Sequence, residues 1–141
     1  MILRILHLTY YIIYNYYFEN GKRKNNSPRL KALTIYTFVF CAQIGFVYFI
    51  SKIIKDPYFY SNHEPVNKIY FYLVTVLAGT LSYLFFVKGG KSAEIYDHYK
   101  DKSWANTRFA KILGWLYILL SILSPFLLII IRNAAIGRHL I

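Results

Sequence analysis

Three stretches of the chain carry no charged side chain: Ala32 to Ser51, Ile69 to Val87 and Ile112 to Ile131, of 20, 19 and 20 residues. At 1.5 Å per helical residue each covers about 30 Å, the thickness of a bilayer's hydrocarbon core. A segment crossing lipid must satisfy its own backbone, which predicts an α-helix for each. Lysine or arginine brackets every stretch: Lys31 and Lys52, Lys68 and Lys88, Lys111 and Arg132. Side chains of this length reach back to the headgroups from a helix end. Before the first stretch, "NNSPR" offers Ser27 as N-cap and Pro28 as the first helical residue. That helix is therefore expected to begin in water and enter lipid later.

The opening segment, residues 1–19, follows a different pattern. Arg4, His7, Tyr11, Asn15 and Glu19 recur at helical spacing, and Ile, Leu, Tyr and Phe fill the rest. A narrow polar stripe fits an amphipathic helix lying in the interface with Arg4 and Glu19 in water. It also fits a fourth span whose stripe faces neighbouring helices. The cost of placing Arg4 and His7 within lipid favours the interfacial helix.

A second amphipathic helix is predicted in "KSAEIYDHYKDK", Lys91 to Lys102, after the break at Gly89-Gly90. Ser92 is a candidate cap. Glu94, Asp97, His98 and Asp101 share one face, while Ile95 and Tyr99 form an apolar edge on another. Carboxylates with an imidazole are chemically adequate metal ligands. One helix rarely completes a coordination shell, however, and of the other histidines only His7 falls on the same side of the expected topology. The favoured reading is a solvated face with local ion pairs such as Asp97–Lys100, and no metal or cofactor. Ser103 or Asn106 is expected to start the last helix, with Trp104 and Trp115 at headgroup level.

Composition strengthens the membrane reading. The chain has 141 residues, of which 57% are hydrophobic, and its 16% charged residues compare with about 25% in a typical soluble domain. One domain of this size could not bury so much apolar surface from water unaided. Lysine and arginine number 17 against 6 acids. They flank apolar runs and do not stripe one surface, which argues against a nucleic-acid partner. Eleven of them lie before the first span or between the second and third, against five on the other side. The positive-inside rule then makes loops 20–31 and 88–111 cytoplasmic and places the C-terminus outside. Cys41, the only cysteine, lies within an apolar run and has no partner for an intrachain disulfide.

Lipid gives helices no hydrophobic reason to associate, so small and polar residues become the packing candidates. These are Cys41, Gln43 and Gly45 in the first span, Ala78, Gly79 and Ser82 in the second, and Gly114, Ser121 and Pro125 in the third. Pro125 frees the Ser121 carbonyl and should bend its helix. Tyr58, Tyr60, Tyr70 and Tyr72 are expected to form an outer aromatic belt, and Tyr83, Tyr96, Tyr99 and Tyr117 an inner one.

The reading is thus an all-α membrane protein with a single membrane domain over 1–141. It has three transmembrane helices, an N-terminal amphipathic or fourth spanning helix, and a cytoplasmic juxtamembrane helix. The aromatic-rich start, "EIYDHYKDK" and "KILGWLYILLSILSPFLLIII" together resemble small uncharacterised bacterial inner-membrane proteins. The resemblance implies that architecture and a bacterial envelope setting, and carries no catalytic residues with it. Phosphate-cradling glycine loops and HExxH are absent. The favoured function is non-enzymatic: a small subunit or modulator that docks on a larger membrane complex or on itself, an immunity-type protein being one version. The alternative is an oligomeric channel or transporter lined by Gln43, Thr75, Thr80, Ser121 and Ser124. A metal-dependent membrane enzyme using Glu94, Asp97, His98 and Asp101 comes last.

Overall fold

A computed structural model describes residues 2–19, 27–55 and 68–135. The loop carrying Tyr58, Tyr60 and His63, the basic run Lys22 to Lys24, and the tail with Arg138 and His139 lie outside the described residues. Five α-helices follow in order: α1 (Ile2–Glu19), α2 (Pro28–Lys55), α3 (Lys68–Phe86), α4 (Lys91–Lys100) and α5 (Arg108–Ala135). Short 3-10 turns occupy Lys88–Gly90 and Ser103–Asn106, and there is no strand among the described residues. The protein is all-α, and α2, α3 and α5 are long and apolar enough to cross a membrane.

Local chemistry sets the boundaries. Pro28 opens α2, and the Lys31 amide donates to the Ser27 carbonyl at 3.1 Å, as expected of an N-cap followed by proline. Gly89 and Gly90 take φ of 70° and 84°, a left-handed pair that ends α3 and turns the chain into α4. The last helix departs from expectation. Neither Ser103 nor Asn106 caps it; Thr107 does, its Oγ1 accepting the Ala110 amide at 3.2 Å. Ser103 and Asn106 belong instead to the turn that precedes it.

The spans pack as a row, α2 touching both α3 and α5 while those two scarcely meet. Each contributes a stripe at helical spacing. The buried positions are Ala32, Tyr36 and Val39 on α2, Ala78, Ser82 and Phe86 on α3, and Gly114, Ile118, Ser121 and Pro125 on α5. On α2 and α3 they lie towards the end where α2 begins and α3 stops, and on α5 they reach past the middle to Pro125. Beyond Val39, beyond Pro125 and before Ala78, no described residue of these helices is buried.

α1 and α4 close the packed end. On α2 the partners of α1 include Lys31 and Tyr36; on α5 they include Gly114 and Trp115, and on α3 Phe86. The polar stripe of α1 is not uniformly wet. Arg4 is exposed and His7 half-buried, but Tyr11 and Asn15 are buried against neighbouring elements. Periodicity located the stripe; it could not say that protein, and not water, would cover its middle.

Candidate functional site

The densest side-chain chemistry lies under α1. Tyr10 stacks on Phe86 with ring centroids 4.6 Å apart and planes 4° from parallel. Tyr36 meets the same Phe86 ring at 4.3 Å. Such contacts contribute about 0.5–1.5 kcal/mol each beyond area burial. Every phenol in this core is anchored. The Tyr36 hydroxyl donates to the Leu6 carbonyl at 3.0 Å and is bonded to Thr9 Oγ1. Tyr10 Oη pairs with Ser92 Oγ at 2.9 Å, and Ser92 also donates to the Phe86 carbonyl at the end of α3. Ser92 is thus not a helix cap: Gly90 occupies the N-cap of α4, and the serine hydroxyl ties α1, α3 and α4 together.

A second knot holds the turn before α5. Tyr11 Oη donates to Asn106 Oδ1 at 2.6 Å. Asn106 Nδ2 in turn donates to the Lys100 and Lys102 carbonyls at 2.9 and 3.0 Å. The amide thereby satisfies carbonyls that the end of α4 leaves free. Tyr99 donates to the Arg4 carbonyl at 3.4 Å, and its ring lies against Tyr11 and Trp104. Burial raises the Tyr10, Tyr14 and Tyr99 phenols above their ordinary range, so they remain protonated donors.

Tyr96 and Tyr99, expected in an inner aromatic belt, are therefore cap-core residues: Tyr96 packs against Tyr11, Tyr14 and Phe18. Tyr70, Tyr72 and Tyr83 are exposed, as belt residues would be, and Tyr117 is half-buried. Trp104 is exposed, while Trp115 meets Tyr16 edge-on at 5.7 Å.

The acidic face takes the form of dispersed solvated groups. Glu94, Asp97, His98 and Asp101 are all exposed, and no three potential ligands converge among the described residues. Asp97 pairs with Lys100 at 2.8 Å and pushes that ammonium's pKa up. Lys102 donates to His98 Nε2 at 2.6 Å. The opposite edge of α4, Ile95 and Tyr99, is buried as the spacing predicts.

The packing candidates divide. Ala78 and Ser82 are fully buried, a Cβ at Gly79 would lie 4.0 Å from the Thr37 methyl, and Cys41 sits beside Thr75. At Gly114 α5 makes room for α1, since a Cβ there would lie 2.6 Å from Ile12 Cδ1. Ser121 and Pro125 are buried in an α5 that remains helical across the proline. The carbonyl that Pro125 frees is taken by the Ser124 hydroxyl at 2.8 Å. Gly45 has nothing within 4 Å of a Cβ position, and half-buried Gln43 makes no hydrogen bond among the described residues. The hydroxyls of Thr75 and Thr80 bond to carbonyls of their own helix.

Composition gave no signal for Thr9, Tyr36, Ser92 or Asn106, because their partners lie up to 95 residues away in sequence. Thr107 was not among the expected starts of α5, Ser103 and Asn106, although a threonine just before an apolar helical run is a readable N-cap signal. Comparison with known protein families, curated proteins and solved structures returns no match.

Proposed function

We propose that the chain is a small integral membrane protein acting through protein–protein contact, as an accessory subunit or modulator of a larger envelope complex. The observation that carries this reading is Gln43. It lies well inside α2, in the half of the span that the chain leaves uncovered, and no described residue satisfies its amide. An amide facing hydrocarbon is costly, and a hydrogen bond across helices is the usual remedy. One turn away, uncovered Gly45 would let a partner's backbone approach closely. The hydroxyls of Thr75, Thr80 and Ser124 return to their own helices, which weighs against their lining an aqueous path.

In this reading the setting is a bacterial cytoplasmic membrane with the α1–α4 end inside. The eleven lysines and arginines of segments 20–31 and 88–111 support that orientation, since both segments adjoin the packed end. α1 then lies at the inner interface. The test is site-specific photocrosslinking from Ile44 in the native membrane, with Gln43 intact and in a Gln43→Leu variant. A defined polypeptide adduct, lost in Gln43→Leu, is expected. A wild type that crosslinks only to lipid and purifies in mild detergent as a lone monomer would overturn the proposal.

A further inference from the structure

A group of basic side chains lies at the crossing of α1 and α4, beside the tyrosine core. Arg4 and His7 are one turn apart on α1. Lys91 and His98 are seven residues apart on α4, two turns along the same edge. The Tyr99 hydroxyl, bonded to the Arg4 carbonyl, fastens the two helices at this point. His7 stands edge-on to Phe86 at 6.3 Å, at the end of α3. Lys91 lies back along α3, its Nζ donating to the Leu84 carbonyl at 3.3 Å.

We propose that this crossing binds the phosphate of an anionic lipid headgroup between Arg4, His7 and Lys91, with the acyl chains along the exposed apolar side of α3 at Tyr83 and Leu84. Three observations carry the assignment. The cations come from two helices and converge where a span ends, at headgroup level. Of the carboxylates on this helix, Asp97 is engaged by Lys100 and Asp101 ends the helix, while Glu94, one turn from Lys91, is exposed to solvent. Large apolar side chains flank the cations, with Leu3 and Ile5 on α1 and Tyr83 and Leu84 on α3 all exposed, so a ligand with tails fits better than a free anion.

The electrostatics agree. The His7 pKa is held below its ordinary value first by burial, then by Lys91, then by His98. A phosphate placed among the same groups relieves both repulsions. The site does not depend on a protein partner and stands or falls separately from Gln43.

The test is native mass spectrometry of the full chain released from detergent, with phosphatidylglycerol, phosphatidylcholine or inorganic phosphate as probe. Arg4→Gln and Lys91→Gln are compared with Lys68→Gln, which removes the same charge at the opposite end of α3. Phosphatidylglycerol adducts are expected on the wild type in excess of phosphatidylcholine. Each cap-end variant should weaken them about fivefold, the effect of one basic residue at an anionic surface. Lys68→Gln should leave them unchanged. Arg4 is exposed, so its variant should keep the fold even if Lys91→Gln does not. Equal adducts with both lipids, or equal losses in all three variants, would overturn the site. Binding of inorganic phosphate as tight as that of lipid would overturn its assignment to a headgroup.

Discussion

At the capped end, Tyr10, Tyr36 and Phe86 are fully buried and the Tyr10 and Tyr36 phenols each meet a hydrogen-bond partner. At the other end, Tyr70, Phe71 and Tyr72 of α3 are 67%, 64% and 66% exposed. The same residue types serve opposite purposes in one small chain. Aromatic rings with anchored hydroxyls make a miniature protein core in the first case. In the second they present apolar surface that the chain does not cover. The capped end is specified internally, by directional contacts. The open end takes its stability from whatever surrounds it, lipid or another helix.

The largest effect that could break this contrast comes from truncating one ring at each end. Tyr10→Ala should cost about 3–5 kcal/mol, as for other buried aromatics. Tyr72→Ala should leave the unfolding transition in detergent unmoved. Similar losses at both positions would mean that the open end has a core of its own. Next comes the turn before α5. Asn106→Ala removes the hydrogen bonds to the Lys100 carbonyl and from the Tyr11 hydroxyl, while the Lys102 carbonyl keeps the Ala105 amide, and should cost about 1–3 kcal/mol by the same measurement.

Two glycines sharpen the comparison. Gly114→Ala drives a methyl into Ile12 and should destabilise by about 1–3 kcal/mol, recovered in part by Ile12→Ala. Gly45→Ala meets nothing and should stabilise by about 0.5–1 kcal/mol through helix propensity. The smallest effect is in pH. Because the folded His7 pKa lies below the unfolded 6.5, the unfolded chain binds more protons as pH falls past that value. This contribution to stability is complete above pH 6.5, falls as pH drops towards the folded pKa and is flat below it. Melting temperatures across that window should converge for wild type and His7→Gln after their high-pH offset is subtracted, if His7 has no such role; a persistent difference in slope is expected.

The spans were legible because lipid imposes one local rule, a long run without charge, and Ala32–Ser51, Ile69–Val87 and Ile112–Ile131 each obey it. Ser27-Pro28 and Gly89-Gly90 were legible because caps and left-handed turns depend on adjacent residues alone. The buried edge of α4 followed from the spacing of Ile95 and Tyr99. The cap core was not legible. A tyrosine in a membrane protein serves equally at an interface or in a core, and only its distant partner decides: Tyr96 and Tyr99 look like Tyr83 in sequence but face α1. The stripe of α1 shows the same limit, since helical spacing sets the direction of Tyr11 and Asn15 without setting what covers them.

The placement of α1 has a consequence for biogenesis. It leaves the ribosome before all the elements it packs against, and Tyr11 must wait for Asn106, 95 residues downstream. At about 5–20 residues per second, that interval is roughly 5–20 s. During it α2, with Tyr36, and α3, with Phe86, emerge and can cover Tyr10 before the Tyr11 partner exists. The docking of α1 is then completed only once the turn before α5 has been made.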